Sequence, residues 1–268
     1  MTQPSPAVRS RSFGRVAEDY DRYRPAPPMA AVEWVLSEVS GPVRACDVAA
    51  GTGALTRLLE ARVGEPVLAV EPDPRMVAVL VSRIPNALAV RGRGEALPWR
   101  DGSLDAVVMG SAWHWMDPVP TLLEIARALR RNGVFGIIGN GPDREVGWVA
   151  ELFDHQPTRS DLWDIPDRGR PDIPSRPGRR SVPELPPGMP FTVPEVTVMH
   201  YSRPMTRREL VGMAGTFSSV ITLPEAARRD RLSAAEQLAT DAVGGPDADE
   251  AATVDLPLRC RCWRTVRA

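Results

Sequence analysis

Short, unbroken apolar runs alternate with stretches of helical periodicity through the first half of the chain. Runs at residues 45–48, 67–70, 88–91, 106–109 and 133–139 are apolar at almost every position, the pattern of strands covered on both faces. Between them, apolar residues recur at helical spacing over 30–40, 55–62, 74–83, 121–131 and 146–154, which predicts helices there. Asp73 stands as an N-cap before Pro74, and Gly133 as a stop after the helix over 121–131. Strands separated by helical crossovers require a parallel sheet with helices on both faces, a doubly wound α/β fold. Such sheets bind ligands at the carboxyl ends of their strands.

The character changes beyond residue 154. From 156 to 194 the chain is dense in Pro and mixed charge, and no regular structure is expected there. That stretch reads either as a surface loop or as a lid beside a ligand pocket. Alternation resumes at 193–201 as a strand, helical spacing follows at 206–215 and 224–242, and the β-branched, Cys- and Trp-containing stretch 252–266 suits a last strand. No internal repeat is found.

Two strand ends carry acids beside a glycine loop. In the run Ala45, Cys46, Asp47, Val48, Ala49, Ala50, Gly51, Thr52, Gly53, a strand turns through Gly51 and Gly53 into a helix whose first N–H groups face the turn. A bare G-x-G also fits a dinucleotide fingerprint. Here Thr56 stands in place of the third glycine, and the Asp47 carboxylate would repel a pyrophosphate. The second strand ends in Glu71, about 20 residues on, the spacing at which a carboxylate accepts ribose hydroxyls. A nucleoside cofactor with a positive amino-acid end and no phosphate, S-adenosylmethionine, fits both acids.

A third segment is Gly92, Arg93, Gly94, Glu95, Ala96, Leu97, Pro98, Trp99, followed by Asp101, Gly102, Ser103, Leu104, Asp105 and three apolar residues. Its acid or its backbone can meet an adenine amine edge, with Leu97 against the adenine face. These residues resemble the class I S-adenosylmethionine-dependent methyltransferases of type 11, the branch that includes ubiquinone/menaquinone-biosynthesis and trans-aconitate methyltransferases. Ala112, Trp113, His114, Trp115, Met116 and Asp117 are similar to a further motif of that branch, and Ala17, Tyr20, Asp21, Arg24 and Pro25 to its N-terminal helix. The resemblance is strong over the first half and loose beyond it. Ala49 departs from the usual first glycine of the loop, and Trp113 from the usual Phe.

The resemblance implies a Rossmann-like, mostly parallel sheet of about seven strands with an antiparallel last strand. It implies cofactor contacts from Asp47, Ala49, Gly51, Gly53, Glu71, Glu95, Ala96, Leu97 and Ser111. Tyr20 and Trp115 are acceptor-binding candidates, and His114 is the catalytic candidate, as a general base. The expected division is a helical cover over 1–40, a cofactor-binding core over 41–155, the Pro-rich insertion or lid over 156–194, and a C-terminal completion of the sheet over 195–268. No Asn/Asp-Pro-Pro-Tyr/Phe run follows Met109, which argues against an amino-group methylase.

The remaining composition narrows partners. At 268 residues and 43% hydrophobic content, the chain has material for a substantial core. Its 33 basic and 34 acidic residues give a net charge of −1, so no field draws it to nucleic acid or to an anionic membrane. A small-molecule acceptor is the expected partner. Residues 1–11 contain no apolar signal region, and no run reaches membrane-spanning length, so a cytoplasmic location is expected. Cys46, Cys260 and Cys262 make no disulfide framework, and no metal site is expected. Two other classes stay open: an oxidoreductase using NAD, and a module that binds S-adenosylmethionine without catalysis.

Overall fold

A computed structural model of the protein describes residues 13–153 and 185–268. A 3-10 turn (Phe13–Val16) leads into α1 (Ala17–Tyr23) and α2 (Met29–Leu36). The alternating unit follows: β1 (Ala45–Val48), α3 (Ala54–Val63), β2 (Leu68–Glu71), α4 (Pro74–Arg83), β3 (Leu88–Arg91), β4 (Leu104–Gly110), a 3-10 turn (Trp113–Trp115), α5 (Pro118–Ala128), β5 (Leu129–Pro142) and α6 (Gly147–Phe153). The last third holds β6 (Glu195–Thr206), α7 (Arg207–Gly215), α8 (Ser218–Ile221), α9 (Glu225–Ala242) and β7 (Thr253–Val266).

The seven strands form one sheet in the order β3-β2-β1-β4-β5-β7-β6. β1 to β5 run parallel, and β7 is antiparallel to both of its neighbours, so β6 points the same way as the first five. Strands β1, β2, β4 and the centre of β5 are mainly apolar because both of their faces are covered. One face buries Val48, Val70, Val107, Met109, Phe135, Ile137 and Trp263 with Leu122 and Ile125 of α5. The other buries Ala106, Val108, Val134 and Ile138 with Val32, Val35 and Leu36 of α2 and with Leu55 and Leu59 of α3. The pleat sends alternate residues to opposite faces, which is why Val107 and Val108 belong to different layers. A separate cluster joins α6, α7 and α9 to Met205, Leu256 and Leu258 of β6 and β7.

Cys260 and Cys262 point to one side of β7 and are buried, their Sγ atoms 3.9 Å apart. Asp73 caps α4, accepting the Arg75 N–H at 2.9 Å, with Pro74 in the first turn. Thr206 and Glu209 form a reciprocal capping box on α7.

The strand expected over 193–201 runs over Glu195–Thr206, and two helix boundaries also differ from the sequence expectation. The helix expected over 30–40 stops at Leu36, where the Ser37 backbone N–H and hydroxyl both donate to the Trp34 carbonyl and close the last turn. The helix expected over 121–131 runs from Pro118 to Ala128 instead. Leu129 is extended and pairs with Leu104, the chain turns at Asn132 with φ +62°, and Gly133 lies inside β5 rather than behind a helix.

The stretch expected to be irregular, 156–194, falls outside the described residues up to 184. Beyond it, Leu185, Met189 and Phe191 pack against the sheet core. Strand order reverses direction from β1 at the junction with β4, so the crevice for a ligand opens above the carboxyl ends of these two strands.

Candidate functional site

Residues 49–53 connect β1 to α3 in three left-handed steps, Ala49 at φ +57°, Gly51 at +58° and Gly53 at +90°. The two glycines serve different ends. A Cβ on Gly53 would come within 2.7 Å of Ile84 Cδ1 and 2.9 Å of Leu80 Cγ, so Gly53 lets the loop seat on α4. A Cβ on Gly51 would meet nothing within 4 Å: the space above that backbone is open to a ligand. Ala49 adopts a left-handed backbone despite its Cβ, and Ser111, just past β4, does the same at φ +50°. Strained positions at the ends of the two central strands mark this edge as a site.

Glu71 closes the loop. Its Oε2 accepts the Gly51 N–H at 3.0 Å and its Oε1 the Asp73 N–H at 2.9 Å. Burial pushes its carboxyl above the ordinary range, and these two backbone donors pull partly back. Each oxygen keeps a second lone-pair direction for a hydroxyl.

Asp47 lies beneath the same loop, fully buried in β1. Thr56 in the first turn of α3 donates to its Oδ2 at 2.7 Å. Its Oδ1 has no hydrogen-bond partner among the described residues, and neither has the buried hydroxyl of Thr52. Burial pushes the Asp47 carboxyl up to about 7. An unsatisfied buried carboxylate oxygen under a glycine loop is a place for a cation or donor brought by a ligand. The donor set, two acids and open space over Gly51, therefore fits the cationic and hydroxyl groups of S-adenosylmethionine.

The third segment is fixed from below. Glu124 of α5 accepts the Leu97 N–H at 2.7 Å, and Arg127 donates to the Leu97 and Trp99 carbonyls at 3.1 and 2.8 Å. The Arg127 guanidinium holds the Glu124 carboxyl below the usual range. Leu97 does not stand at the surface: it joins the core cluster with Val48 and Val70, because its backbone is drawn down onto α5. Ala96 is exposed beside it, and Glu95 accepts the Asp117 N–H at 3.2 Å, which ties this segment to the start of α5. A Cβ on Gly94 would touch Met116 Sδ at 3.0 Å and Val48 Cγ1 at 3.2 Å, so segment, turn and the end of β1 converge.

The Trp and His residues of the turn wind through a 3-10 helix. Trp113 is buried against Phe135, while His114 and Trp115 stay half-buried with ring centres 4.1 Å apart. Ser111 Oγ accepts the Asn140 N–H at 3.2 Å.

Residues 24–26 cross this edge as a strap: Asn140 Nδ2 donates to the Pro25 carbonyl at 2.9 Å, and the single Tyr201 Oη proton is shared between the Ala26 carbonyl at 3.1 Å and Asn140 Oδ1 at 2.8 Å. α1 ahead of the strap is held on one side by an Asp21–Arg83 ion pair of 3.2 Å and on the other by Tyr23 lying over Gly212 of α7. Tyr20 lies on this helix. The structure thus joins Gly51 and Glu71 directly, sets Asp47 beneath their loop on Thr56, and groups Glu95, His114 and Ser111 around the same strand ends. Thr56, Thr52, Asn140 and Tyr201 escaped the sequence reading: Thr56 stood out only as a missing glycine, and the other three carry no local motif. Among the described residues no group of three or more His, Cys, Asp or Glu is placed to hold a metal ion.

Residues 46–137 match the family model of a methyltransferase domain. The chain is 35% identical over 229 residues to an uncharacterised methyltransferase of Mycobacterium tuberculosis, covering 85% of this chain and 86% of the relative. It is 29% identical over 217 residues to an uncharacterised methyltransferase-like protein of Schizosaccharomyces pombe, covering 80% of each. Among solved structures, it aligns with a candidate type II methyltransferase from Anaeromyxobacter dehalogenans at a TM-score of 0.65 and 22% identity, covering 91% of this chain and 98% of the other, a likeness of fold.

Proposed function

Because the chain belongs to the class I S-adenosylmethionine-dependent methyltransferases, in their type 11 branch, we propose that it transfers a methyl group from S-adenosylmethionine to a small-molecule acceptor, at oxygen or carbon in preference to nitrogen. The observation that carries this reading is the buried Asp47 with its unpartnered Oδ1, roofed by a loop that Glu71 holds shut. When bound, the cofactor supplies a sulfonium methyl group already activated for transfer. Asp47 receives the ammonium of its amino-acid end, and Glu71 accepts from the ribose hydroxyls. Glu95 and the backbone of residues 95–97 border the adenine.

What the protein adds is position. α1 and the strap over residues 24–26 cover the strand ends, exclude water and hold an acceptor in line, an effect worth several kcal/mol. Tyr20 and Trp115 are the acceptor walls. His114, half-buried in the turn beside the cofactor segment, takes a proton from a phenol or carbon acid, whereas a carboxylate acceptor needs no base.

Titration calorimetry with S-adenosylmethionine and with NAD, followed by transfer of labelled methyl to a small-molecule panel, tests the reading. Saturable binding of the first and not of the second is expected, and so is labelled product. A preference for NAD would overturn the cofactor assignment, and tight cofactor binding with no product from any acceptor class would leave a binding module.

A further inference from the structure

Arg24 ends α1 in a setting that its structural duties do not use up. Its Nε donates to Thr216 Oγ1 at 2.9 Å and its Nη2 to the Thr216 carbonyl at 3.3 Å. Its guanidinium lies 3.7 Å over the centre of the Phe217 ring and 5.4 Å from that of Tyr20. The other amino group, Nη1, makes no hydrogen bond to the described residues. Among the described residues no carboxylate acts on this charge: burial pulls the guanidinium below its ordinary range, the Tyr20 phenol opposes, and the Arg144 cation adds to the fall. A guanidinium does not give up its proton in proteins, so the direction measures how poorly the charge is compensated.

The position matters as much as the charge. Pro25, the next residue, is bonded to Asn140, whose backbone bonds to Ser111 at the end of β4. Arg144 lies two residues beyond β5. The Arg24 guanidinium therefore stands beside the strand ends, walled by Tyr20 and Phe217, with a planar donor edge to spare. A carboxylate matches the planar guanidinium better than a neutral group does.

We infer that the Arg24 guanidinium receives a carboxylate of the methyl acceptor, making Arg24 the residue that selects acidic over neutral acceptors. The inference rests on the methyl-transfer reading of the adjoining site. The experiment compares wild type, Arg24→Gln and Arg24→Lys on short aliphatic and aromatic carboxylic acids, each beside its primary amide. Labelled methyl transfer, thermal stabilisation of protein saturated with S-adenosylhomocysteine, and cofactor affinity are all measured. In the wild type the acids are expected to be better acceptors or ligands than their amides. In Arg24→Gln the acid KM should rise about tenfold or more relative to the amide, the loss of one charge-assisted contact, with partial rescue in Arg24→Lys and little change in cofactor affinity.

Acids no better than amides in the wild type, in either transfer or stabilisation, would overturn the inference. So would an equal loss for acid and amide in Arg24→Gln, which is the mark of a residue that only pins α1 to Thr216. Absence of cofactor binding in the wild type would instead strike the methyl-transfer reading; carboxylates titrated against the cofactor-free protein would then show whether Arg24-dependent stabilisation by anions persists.

Discussion

Replacing Asp47 by Asn is expected to stabilise the cofactor-free protein at about pH 8 and to weaken its hold on S-adenosylmethionine. Burial raises the Asp47 carboxyl from its ordinary 3.8 to about 7. An acid with a folded-state pKa above its unfolded value favours folding in its protonated form, so its contribution is lost as the pH rises from about 4 to 7, the reverse of an ion-paired aspartate. A rise of that size corresponds to about 4 kcal/mol across the window. Asn removes the titration but leaves an amide N–H₂ beneath the loop, at a cost of about 1 to 3 kcal/mol. The net gain near pH 8 is then about 1 to 3 kcal/mol.

Urea unfolding of wild type and variant at several values between about pH 4 and 8 isolates the effect, because Glu71, Asp73 and Glu124 titrate in both. The stability difference between the two proteins should swing by about 4 kcal/mol across that range. Parallel pH profiles would show that Asp47 is not the poorly solvated acid described above. On the cofactor side, loss of the carboxylate should weaken binding by roughly 1.5 to 3 kcal/mol, and unchanged affinity would remove Asp47 from the ammonium contact.

Other substitutions probe the remaining parts of the site. Glu71→Ala should lower S-adenosylmethionine affinity by roughly 1 to 3 kcal/mol and also free the Gly51 N–H, so calorimetry and loop protection from hydrogen exchange should change together; unchanged affinity would place the ribose elsewhere. Gly51→Val should abolish cofactor binding while the fold persists with a left-handed penalty of about 1 to 2 kcal/mol, because its Cβ enters open space rather than protein; a folded variant that binds normally would move the ligand off this loop. Ala49→Gly relieves a φ of +57° but adds unfolded-state freedom, and the two nearly cancel, leaving a melting curve within about 1 kcal/mol of wild type. His114→Ala should cut kcat by about 100-fold or more with cofactor affinity little changed if His114 moves a proton, and a wild-type rate on the true acceptor would end that role.

Much of the scaffold was legible because its signals are local. Asp73 before Pro74, and the continuous apolar runs of β1, β2 and β4, each report a backbone requirement that neighbours in sequence satisfy. The loop acids Asp47 and Glu71 were legible for the same reason, by their spacing from the glycines. Leu97 was legible as an adenine neighbour, but nothing nearby in sequence reveals that Glu124 and Arg127, about 30 residues on, draw its backbone down onto α5. The Asn140 and Tyr201 latch was invisible for a stronger version of that reason: its partners on residues 25 and 26 lie more than a hundred positions away.

The placement of β7 between β5 and β6 bears on how the chain reaches this structure during synthesis. Until residues 253–266 leave the ribosome, β5 presents a bare edge from Val134 to Pro142, and β6 has no strand to pair with. Trp263, which closes the core against Phe135, arrives with that same strand. The family-matching segment 46–137 therefore ends inside an unfinished edge strand, and a fragment cut to those bounds would carry a ready template for edge-to-edge association. Production of the protein in pieces is for this reason expected to fail at the sheet edge while its cofactor loop is still intact.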